Sequence, residues 1–212
     1  MRRDLLTSVI AVVLCTVVFG LAYPLAMTGV AQVLFPGNSN GSKITQDGKV
    51  VGSKLIAQGF TRITPTGSKH GPKFERVPDP RYFQPRPSQS NYSADATFFS
   101  NLGPNQKATR DEVRANLHAY LKLEGPYNPG LTAADVPVDA ITQSASGVDP
   151  QISKANAEIQ ADRIAAVRHI PLSQVQGLID DNTQGRFVGL FGEPGVNVLE
   201  LNLALDKEVP AK

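Results

Sequence analysis

The sequence is poor in several residue types, and each shortage excludes a class of protein. It has no tryptophan and a single cysteine among 212 residues. Because that cysteine, Cys15, lies inside an apolar run, the rest of the chain can form neither a disulfide nor a thiolate metal site. The 21 Lys and Arg are dispersed among 19 Asp and Glu, so the chain lacks the basic patch that is typical of nucleic-acid-binding proteins.

Charge is missing from a long N-terminal stretch. After Asp4, no charged residue occurs before Lys43, and the run is apolar almost throughout as far as Phe35. This is well beyond the roughly 18 residues that indicate a membrane-spanning helix. We therefore predict a membrane anchor over residues 1–35. A cleaved signal peptide is the alternative, but its apolar region would be only about 7–15 residues long.

The membrane span itself is predicted from Leu6 to Met27, since about 20 helical residues cross the roughly 30 Å hydrocarbon layer. Arg2 and Arg3 precede this span, whereas the flank that follows it is polar and uncharged. The positive-inside rule then places the N-terminus in the cytoplasm and residues 36–212 outside.

Small residues within the span are spaced for contact with another helix. Thr16 with Gly20, and Ala22 with Ala26, are four residues apart, a spacing that lets helices approach closely. The alternative is that the helix is a simple tether. One helix cannot enclose a pore, so a transport role would require other chains. Pro24 is expected to kink or end the regular helix.

Residues 36–212 are predicted to form one extracytoplasmic α+β domain, with helices packed on a small sheet. Strands are expected within Lys49–Phe60 and at Val136–Thr142. A third strand is predicted from Asn197 towards Leu205 because apolar residues alternate there with period two. Residues 61–107 contain seven of the 16 prolines and are predicted to be irregular.

Three helices are predicted in this domain. The first begins at a capping box formed by Thr109 and Glu112 and ends at Gly125. The second begins at Ser153, and the third at a capping box from Ser173. The second helix is expected to bury a face that carries Ala155, Ile159 and Ala166.

Catalytic and cofactor motifs are missing. The sequence has no phosphate-binding G-x-x-x-x-G-K-[ST] loop, no G-x-G-x-x-G, and no Asp-Lys-Thr-Gly to supply the phosphorylated aspartate of a P-type pump. The three histidines, His70, His118 and His169, are not at ligand spacing, so we predict no metal site and no bound cofactor.

Ser144 and Ser146 lie close to Asp149, which superficially suits a hydrolase. No G-x-S-x-G surrounds them, and a turn leading into the helix at Ser153 is the simpler interpretation. A membrane-anchored exported serine hydrolase that uses Ser144 or Ser146 is kept as the alternative function.

An aromatic pair followed by Pro-Arg-Pro forms a second distinctive segment. Tyr82 and Phe83 precede Arg86, and the flanking prolines make an extended element that presents the guanidinium at little ordering cost. This element suits docking on a partner. Alternatively, the aromatic rings fill the core and Arg86 caps backbone carbonyls.

Seven stretches of the sequence follow one another in the order of a known family. They are Tyr23-Pro24 and residues 51–58, 82–88, 100–104, 137–142, 144–153 and 192–206. Together they resemble the C subunit family of the bacterial high-affinity potassium-transporting ATPase, the Kdp complex. Residues 61–81, which look like an insertion, and Phe98-Phe99 depart from the family pattern.

The resemblance implies an inner-membrane pump in which a channel-like subunit carries potassium and a P-type subunit hydrolyses ATP. The C subunit would be a non-catalytic accessory chain that supports assembly and stimulates ATP hydrolysis. The family is also proposed to raise ATP affinity as a catalytic chaperone. The predicted topology conflicts with nucleotide contact, because it places the domain opposite the cytoplasmic ATP site and over the extracellular mouth of the potassium-carrying subunit.

The residues expected at the subunit interface come from the matching segments. They are Tyr82, Phe83, Arg86, Asn101, Asp149, Glu193 and Asn197.

Overall fold

The computed structural model describes residues 2–66, 73–93 and 100–210. The chain forms two units, Met1–Ser53 and Lys54–Lys212. His70 and Phe98-Phe99, which the sequence singles out, lie outside the described residues.

The N-terminal unit consists mainly of one long apolar helix. Its segments are α1 (Arg2–Val17), a π-helical stretch (Val18–Ala22) and α2 (Tyr23–Leu34), followed by the short α3 (Pro36–Ser39). Pro24 does not end the helix. Its ring would clash with the carbonyl four residues earlier, and the wider π-helical stretch lies at this point. The irregularity expected at Pro24 is therefore found in the preceding turn.

A β-hairpin completes this unit. Strands β1 (Lys43–Gln46) and β2 (Lys49–Ser53) pair antiparallel, which confirms a strand at the start of the predicted Lys49 region. Asp47 and Gly48 connect them with φ of 50° and 75°, the backbone that a two-residue type I′ turn requires. The register shifts between Ile44, which pairs with Gly52, and Thr45, which pairs with Val50, so Val51 is an extra residue on β2 and forms a bulge.

The second unit begins with another hairpin, formed by β3 (Thr61–Thr66) and β4 (Lys73–Pro78). The prediction that residues 61–107 are irregular is therefore wrong for this part. Pro65 is tolerated in β3 because both strands of a two-stranded hairpin are edges. The described residues 79–93 and 100–106 contain neither helix nor strand.

Helices and a small antiparallel sheet form the rest of this unit, as the fold class predicts. The sheet has the order β5-β7-β6. The elements are α4 (Lys107–Glu124), α5 (Val138–Ile141), β5 (Gln151–Ile152), α6 (Lys154–Arg168), α7 (Leu172–Asp181), β6 (Thr183–Gln184), β7 (Gly195–Asn197) and α8 (Val198–Glu208).

The three predicted helices exist, but two of them begin differently. Helix α4 starts at Lys107, and Thr109 Oγ1 donates to the Gly103 carbonyl (2.8 Å) instead of capping. Helix α7 starts after Pro171, which has no capping side chain. Both predicted capping boxes are therefore wrong. Helix α6 is capped as predicted, since Ser153 Oγ accepts from the amide of Asn156.

The prediction of a strand at Val136–Thr142 is wrong, because this segment forms α5 after Pro137. Pro137 is the N-cap of α5, and its missing N–H costs nothing there because the first N–H groups of a helix have no partner within the helix. The Asp139 carboxylate then accepts bonds from the amide of Ser153, its hydroxyl and the Nδ2 of Asn156, at 2.9, 2.8 and 3.0 Å. This short helix therefore fixes the start of α6.

The predicted C-terminal strand is also wrong beyond its first residue. β7 ends at Asn197, whose side chain accepts a bond from the Glu200 amide (3.1 Å) and so caps α8. The period-two alternation coincides with a helical pattern in the same residues. The positions that α8 buries are related by spacings of three and four: Val198, Leu199, Leu201, Asn202 and Leu205.

The core lies among α6, α7, α8 and the small sheet. It includes Phe83, Ile152, Ala157, Ala161, Ile164, Val175, Leu178, Ile179, Val196, Leu201 and Leu205. The prediction that α6 buries the face with Ala155, Ile159 and Ala166 is wrong. Ala155 and Ala166 are exposed, and Ile159 is only half-buried. The face that α6 buries carries polar as well as apolar side chains.

Candidate functional site

A polar stripe runs along the buried face of α6. Asn156, Gln160 and Arg163 follow one another at spacings of four and three residues, and all three are almost completely buried. Buried polar groups require partners. The partners of Gln160 and Arg163 include backbone groups of the extended segment 80–84, which contains the aromatic pair Tyr82 and Phe83.

Two side-chain amides hold this segment as a neighbouring strand would. Asn202 of α8 accepts from the Phe83 amide (2.9 Å) and donates to its carbonyl (3.0 Å). Gln160 does the same for Gln84, at 2.7 and 3.1 Å. Phe83 has no exposed surface. The predicted alternative for the aromatic pair, that it fills the core, is therefore confirmed for Phe83.

A buried ion pair supports the same segment from α6. Arg163 Nε donates to both carboxylate oxygens of Glu124, at 2.9 and 3.0 Å, and neither side chain is exposed. The guanidinium also donates to the carbonyls of Pro80 and Tyr82. Burial raises the pKa of Glu124 to about 7, more than the neighbouring Arg163 lowers it.

Tyr82 lies beside the buried segment and is partly exposed. Its hydroxyl donates to Asp206 (3.0 Å), and the guanidinium of Arg168 lies 4.8 Å from the ring centre. The Phe60 ring centre is 5.4 Å away. Burial raises the pKa of the Tyr82 hydroxyl, so it remains a donor at neutral pH.

Arg86 links the Pro-rich segment to the loop after α5. Its guanidinium pairs with Asp149 (3.1 Å) and donates to the Gln143 carbonyl (3.2 Å). The predicted alternative that Arg86 caps a carbonyl is confirmed. Both side chains of the ion pair keep part of their surface exposed, so a further contact with a partner stays a prediction.

Ser144 and Ser146 serve the turn that precedes α6. The Asp149 amide donates to Ser144 Oγ at 3.4 Å, and the Val148 amide donates to Ser146 Oγ at 3.2 Å. Ser144 is buried. Among the described residues no hydrogen bond joins either serine to a histidine, so the hydrolase alternative gains no support.

The remaining interface candidates differ in exposure. Asn101 is exposed and has a φ of 54°. Glu193 is exposed and pairs with Arg186 at 3.0 Å. Asn197 is buried, caps α8 and donates to the Lys54 carbonyl at 2.8 Å. Asn101 and Glu193 are thus available at the surface, whereas Asn197 has a structural role.

The long apolar helix is the other candidate site. Arg2–Leu34 is long and apolar enough to cross a membrane and contains the predicted span from Leu6 to Met27. Thr16 Oγ1 donates to the Val12 carbonyl (2.8 Å), so its hydroxyl is satisfied within the helix. A Cβ added at Gly20 would lie 3.8 Å from the Thr16 methyl, which shows that these two residues share a face.

The other residues that the sequence singles out are the second pair of small residues, Ala22 and Ala26, and two histidines. Ala22 ends the π-helical stretch, Ala26 lies in α2, and both are exposed. His118 lies on α4, and His169 ends α6 in a left-handed conformation. Within the described part of the chain, no group of three or more His, Cys, Asp or Glu could hold a metal ion.

The residues that sequence reasoning missed are the buried polar ones. Glu124, Gln160, Arg163 and Asn202 organise the segment 80–84. The signal for Gln160 and Arg163 is their helical spacing with Asn156 among the alanines of α6, whereas Asn202 stands among the leucines of α8. Charged and amide side chains are mostly exposed, so residue type alone does not indicate that these side chains are buried.

Comparison with known proteins identifies the family. Residues 5–207 match the family model described as "KdpC: K+-transporting ATPase, c chain". A relative from Bradyrhizobium diazoefficiens, named potassium-transporting ATPase KdpC subunit, is 44% identical over 208 residues, which cover 98% of each chain. Relatives with the same name from Mycobacterium tuberculosis and Caldanaerobacter subterraneus are 43% and 42% identical and cover 98% and 91% of this chain, and 100% and 89% of their own lengths. The chain therefore belongs to the KdpC family of potassium-transporting ATPase subunits.

Proposed function

We propose that this chain is a non-catalytic accessory subunit that supports assembly of the Kdp complex and stimulates its ATP-hydrolysing subunit during potassium import. The observation that carries this proposal is the family match over residues 5–207. The described residues contain one helix that is able to span a membrane, which agrees with an accessory role because one helix cannot form a pore alone. The partners would be a channel-like potassium-carrying subunit and a P-type subunit, which bind the potassium and the ATP.

The exported domain is proposed to lie on the extracytoplasmic side of the inner membrane. Arg2 and Arg3 at the start of the helix support this orientation, because positive charge is retained in the cytoplasm. The flank after the helix remains uncharged up to Lys43.

With this topology, stimulation of ATP hydrolysis would act through assembly. A domain outside the membrane cannot contact a cytoplasmic nucleotide, so any increase in ATP affinity would be transmitted through the partner subunits. The absence of a phosphate-binding loop from the sequence supports this proposal.

The surface of the interface is proposed to include Tyr82, Arg86, Asn101, Asp149 and Glu193. Each keeps exposed surface. Four of them, Tyr82, Arg86, Asp149 and Glu193, are also bound within the domain, which lowers the entropy lost on docking. Phe83 and Asn197 would support this surface from the core.

Recovery of a tagged chain from membranes in mild detergent tests the proposed function. We expect the potassium-carrying and ATP-hydrolysing subunits to be recovered with it. Recovery of the chain alone, together with labelling of Ser144 or Ser146 by a serine-hydrolase probe, would contradict the proposal and support the alternative function.

Thiol labelling tests the orientation. In a Cys15→Ala background, Ser173→Cys supplies one exposed thiol on α7. We expect it to react with a membrane-impermeant maleimide in intact spheroplasts. Reaction only after lysis would reverse the proposed topology.

A further inference from the structure

The connection between β6 and β7 exposes a cluster of apolar side chains. Phe187, Val188, Leu190 and Phe191, here called the apolar loop, are between 67% and 75% exposed. Soluble surfaces rarely expose so many large apolar side chains within five positions, and such clusters mark interaction sites. None of the contacts described above uses these residues.

The backbone of the apolar loop is tightly closed. The Phe187 amide donates to the Phe191 carbonyl at 2.8 Å, and the Phe191 amide returns a bond to the Phe187 carbonyl at 3.0 Å. Val188 has a φ of 52°, which is a strained conformation for a β-branched residue. Strain of this kind persists where the surrounding structure imposes it and is concentrated at functional sites.

Two charges at the base of the apolar loop neutralise each other. Arg186 Nη2 donates to both oxygens of Glu193, at 3.2 and 3.0 Å. The loop therefore presents an apolar tip above a rim with no net charge.

We propose that the apolar loop is a docking element that inserts into an apolar pocket on an extramembrane surface of another subunit of the pump. This inference rests on the proposed function, which supplies the partner chains. The apolar tip matches the large, rigid anchors that dominate protein interfaces. Its closed, strained backbone is ordered before binding, so little entropy is lost on docking.

A lipid surface fits the same loop less well. Segments that insert into anionic membranes carry unpaired Lys or Arg beside their apolar residues. Here the adjacent cation is already paired, and the carboxylate of Glu193 is itself exposed. A defined backbone shape also gives an advantage on a protein pocket that it does not give in a fluid bilayer.

Site-specific photocrosslinking tests the proposal in the complete chain. Leu190 is replaced by benzoylphenylalanine in a tagged chain, which is irradiated in native membranes that contain the other subunits. We expect an adduct with one of those subunits. Val138, which is 71% exposed on α5, provides a matched control position, and its adduct is expected to be at least fivefold weaker.

The possible outcomes separate the two proposals. An adduct with lipid alone, no adduct, or equal adducts at Leu190 and Val138 would overturn the docking proposal. In the same preparation, failure of the unmodified chain to recover the other subunits would instead contradict the proposed function.

A substitution series gives a second test that does not depend on crosslinking. The triple variant Phe187→Ser, Leu190→Ser, Phe191→Ser should keep the thermal unfolding of the wild type, because these side chains are exposed. Recovery of the partner subunits should fall at least about tenfold, as expected on loss of apolar anchors. Phe74→Ser, at an exposed position on β4, is the control, and recovery of the triple variant equal to this control would contradict the proposal.

Discussion

The two units of this chain contrast in where their contacts lie. Along α1 and α2 of the N-terminal unit no residue is buried, whereas the second unit buries Phe83 and a complete ion pair. The helix therefore depends on a bilayer or partner chains for its apolar contacts. The second unit supplies its own contacts, and many of them are polar.

The difference also separates what each region contributes to function. A helix that is apolar all round fits a lipid environment and needs only small residues to admit a partner. A domain that orders an irregular segment through buried amides and a guanidinium keeps a defined surface. Substitutions in the domain core should reduce stability, whereas substitutions in the helix should affect assembly alone.

The buried ion pair provides the strongest test of the contrast. Glu124→Leu leaves the Arg163 charge buried and unpaired, and should lower the free energy of unfolding at pH 8 by about 3–5 kcal/mol. Urea unfolding of the full chain in detergent, followed by tyrosine fluorescence, measures this loss. The double variant Glu124→Leu, Arg163→Met should recover at least half of it. A double variant as unstable as the single one would show that the charge is not the cause.

Substitution of Asn202 tests whether a side-chain amide takes the place of a neighbouring strand in bonding the backbone of Phe83. Asn202→Leu removes the partners of the Phe83 amide and carbonyl, and each buried group left unsatisfied costs about 1–3 kcal/mol. We therefore expect a loss of about 3 kcal/mol in the same unfolding measurement. Asn105→Leu, at an exposed position before α4, is the control. Equal stability of the two variants would contradict the role assigned to Asn202.

Stability should depend on pH through Glu124. Burial raises its pKa to about 7 from the ordinary value of 4.5, so between these values the folded chain holds a proton that the unfolded chain has released. The free energy of unfolding should therefore fall as pH rises through this window, by no more than about 3 kcal/mol. Glu124→Gln should lack this decline. Identical pH profiles for both chains would refute the assignment.

The N-terminal cap of α6 should contribute less to the free energy of unfolding than Glu124 or Asn202. Ser153→Ala removes the capping oxygen, and we expect a loss of about 1 kcal/mol. Ser173→Ala is the matched control, since this serine lies inside α7 and does not cap it. The measurement is the urea midpoint of each variant, and equal midpoints would show that the cap is not needed.

Substitutions in the long apolar helix should not change the free energy of unfolding. Gly20→Leu adds bulk to the face shared with Thr16, while Gly29→Leu adds the same bulk where no atom lies within 4 Å. Both variants should unfold like the wild type. Only Gly20→Leu should reduce recovery of the partner subunits, and equal recovery would favour the simple tether.

The sequence predicted those elements whose signals are strong and local. The charge-free run predicts the long apolar helix, and Ser153 predicts the start of α6. Each signal depends on residues a few positions apart, and tertiary contacts do not override it.

The failures occurred where contacts between distant segments decide the structure. Leucines after Asn197 alternate as in a strand, but burial against α6 and α7 selects the helical spacing. Arg163 would be assigned to solvent by its residue type, yet Glu124, which lies 39 positions earlier, makes its burial possible. The interface candidates stay predictions, because no contact within this chain tests them.

Potassium-stimulated ATP hydrolysis tests the central claim most directly. Membranes that carry the other pump subunits are assayed with this chain, without it, and with the chain restored. The account predicts that hydrolysis falls when the chain is omitted and recovers when it returns, with no hydrolysis by the chain alone. Equal hydrolysis with and without the chain would contradict its role as a stimulating subunit.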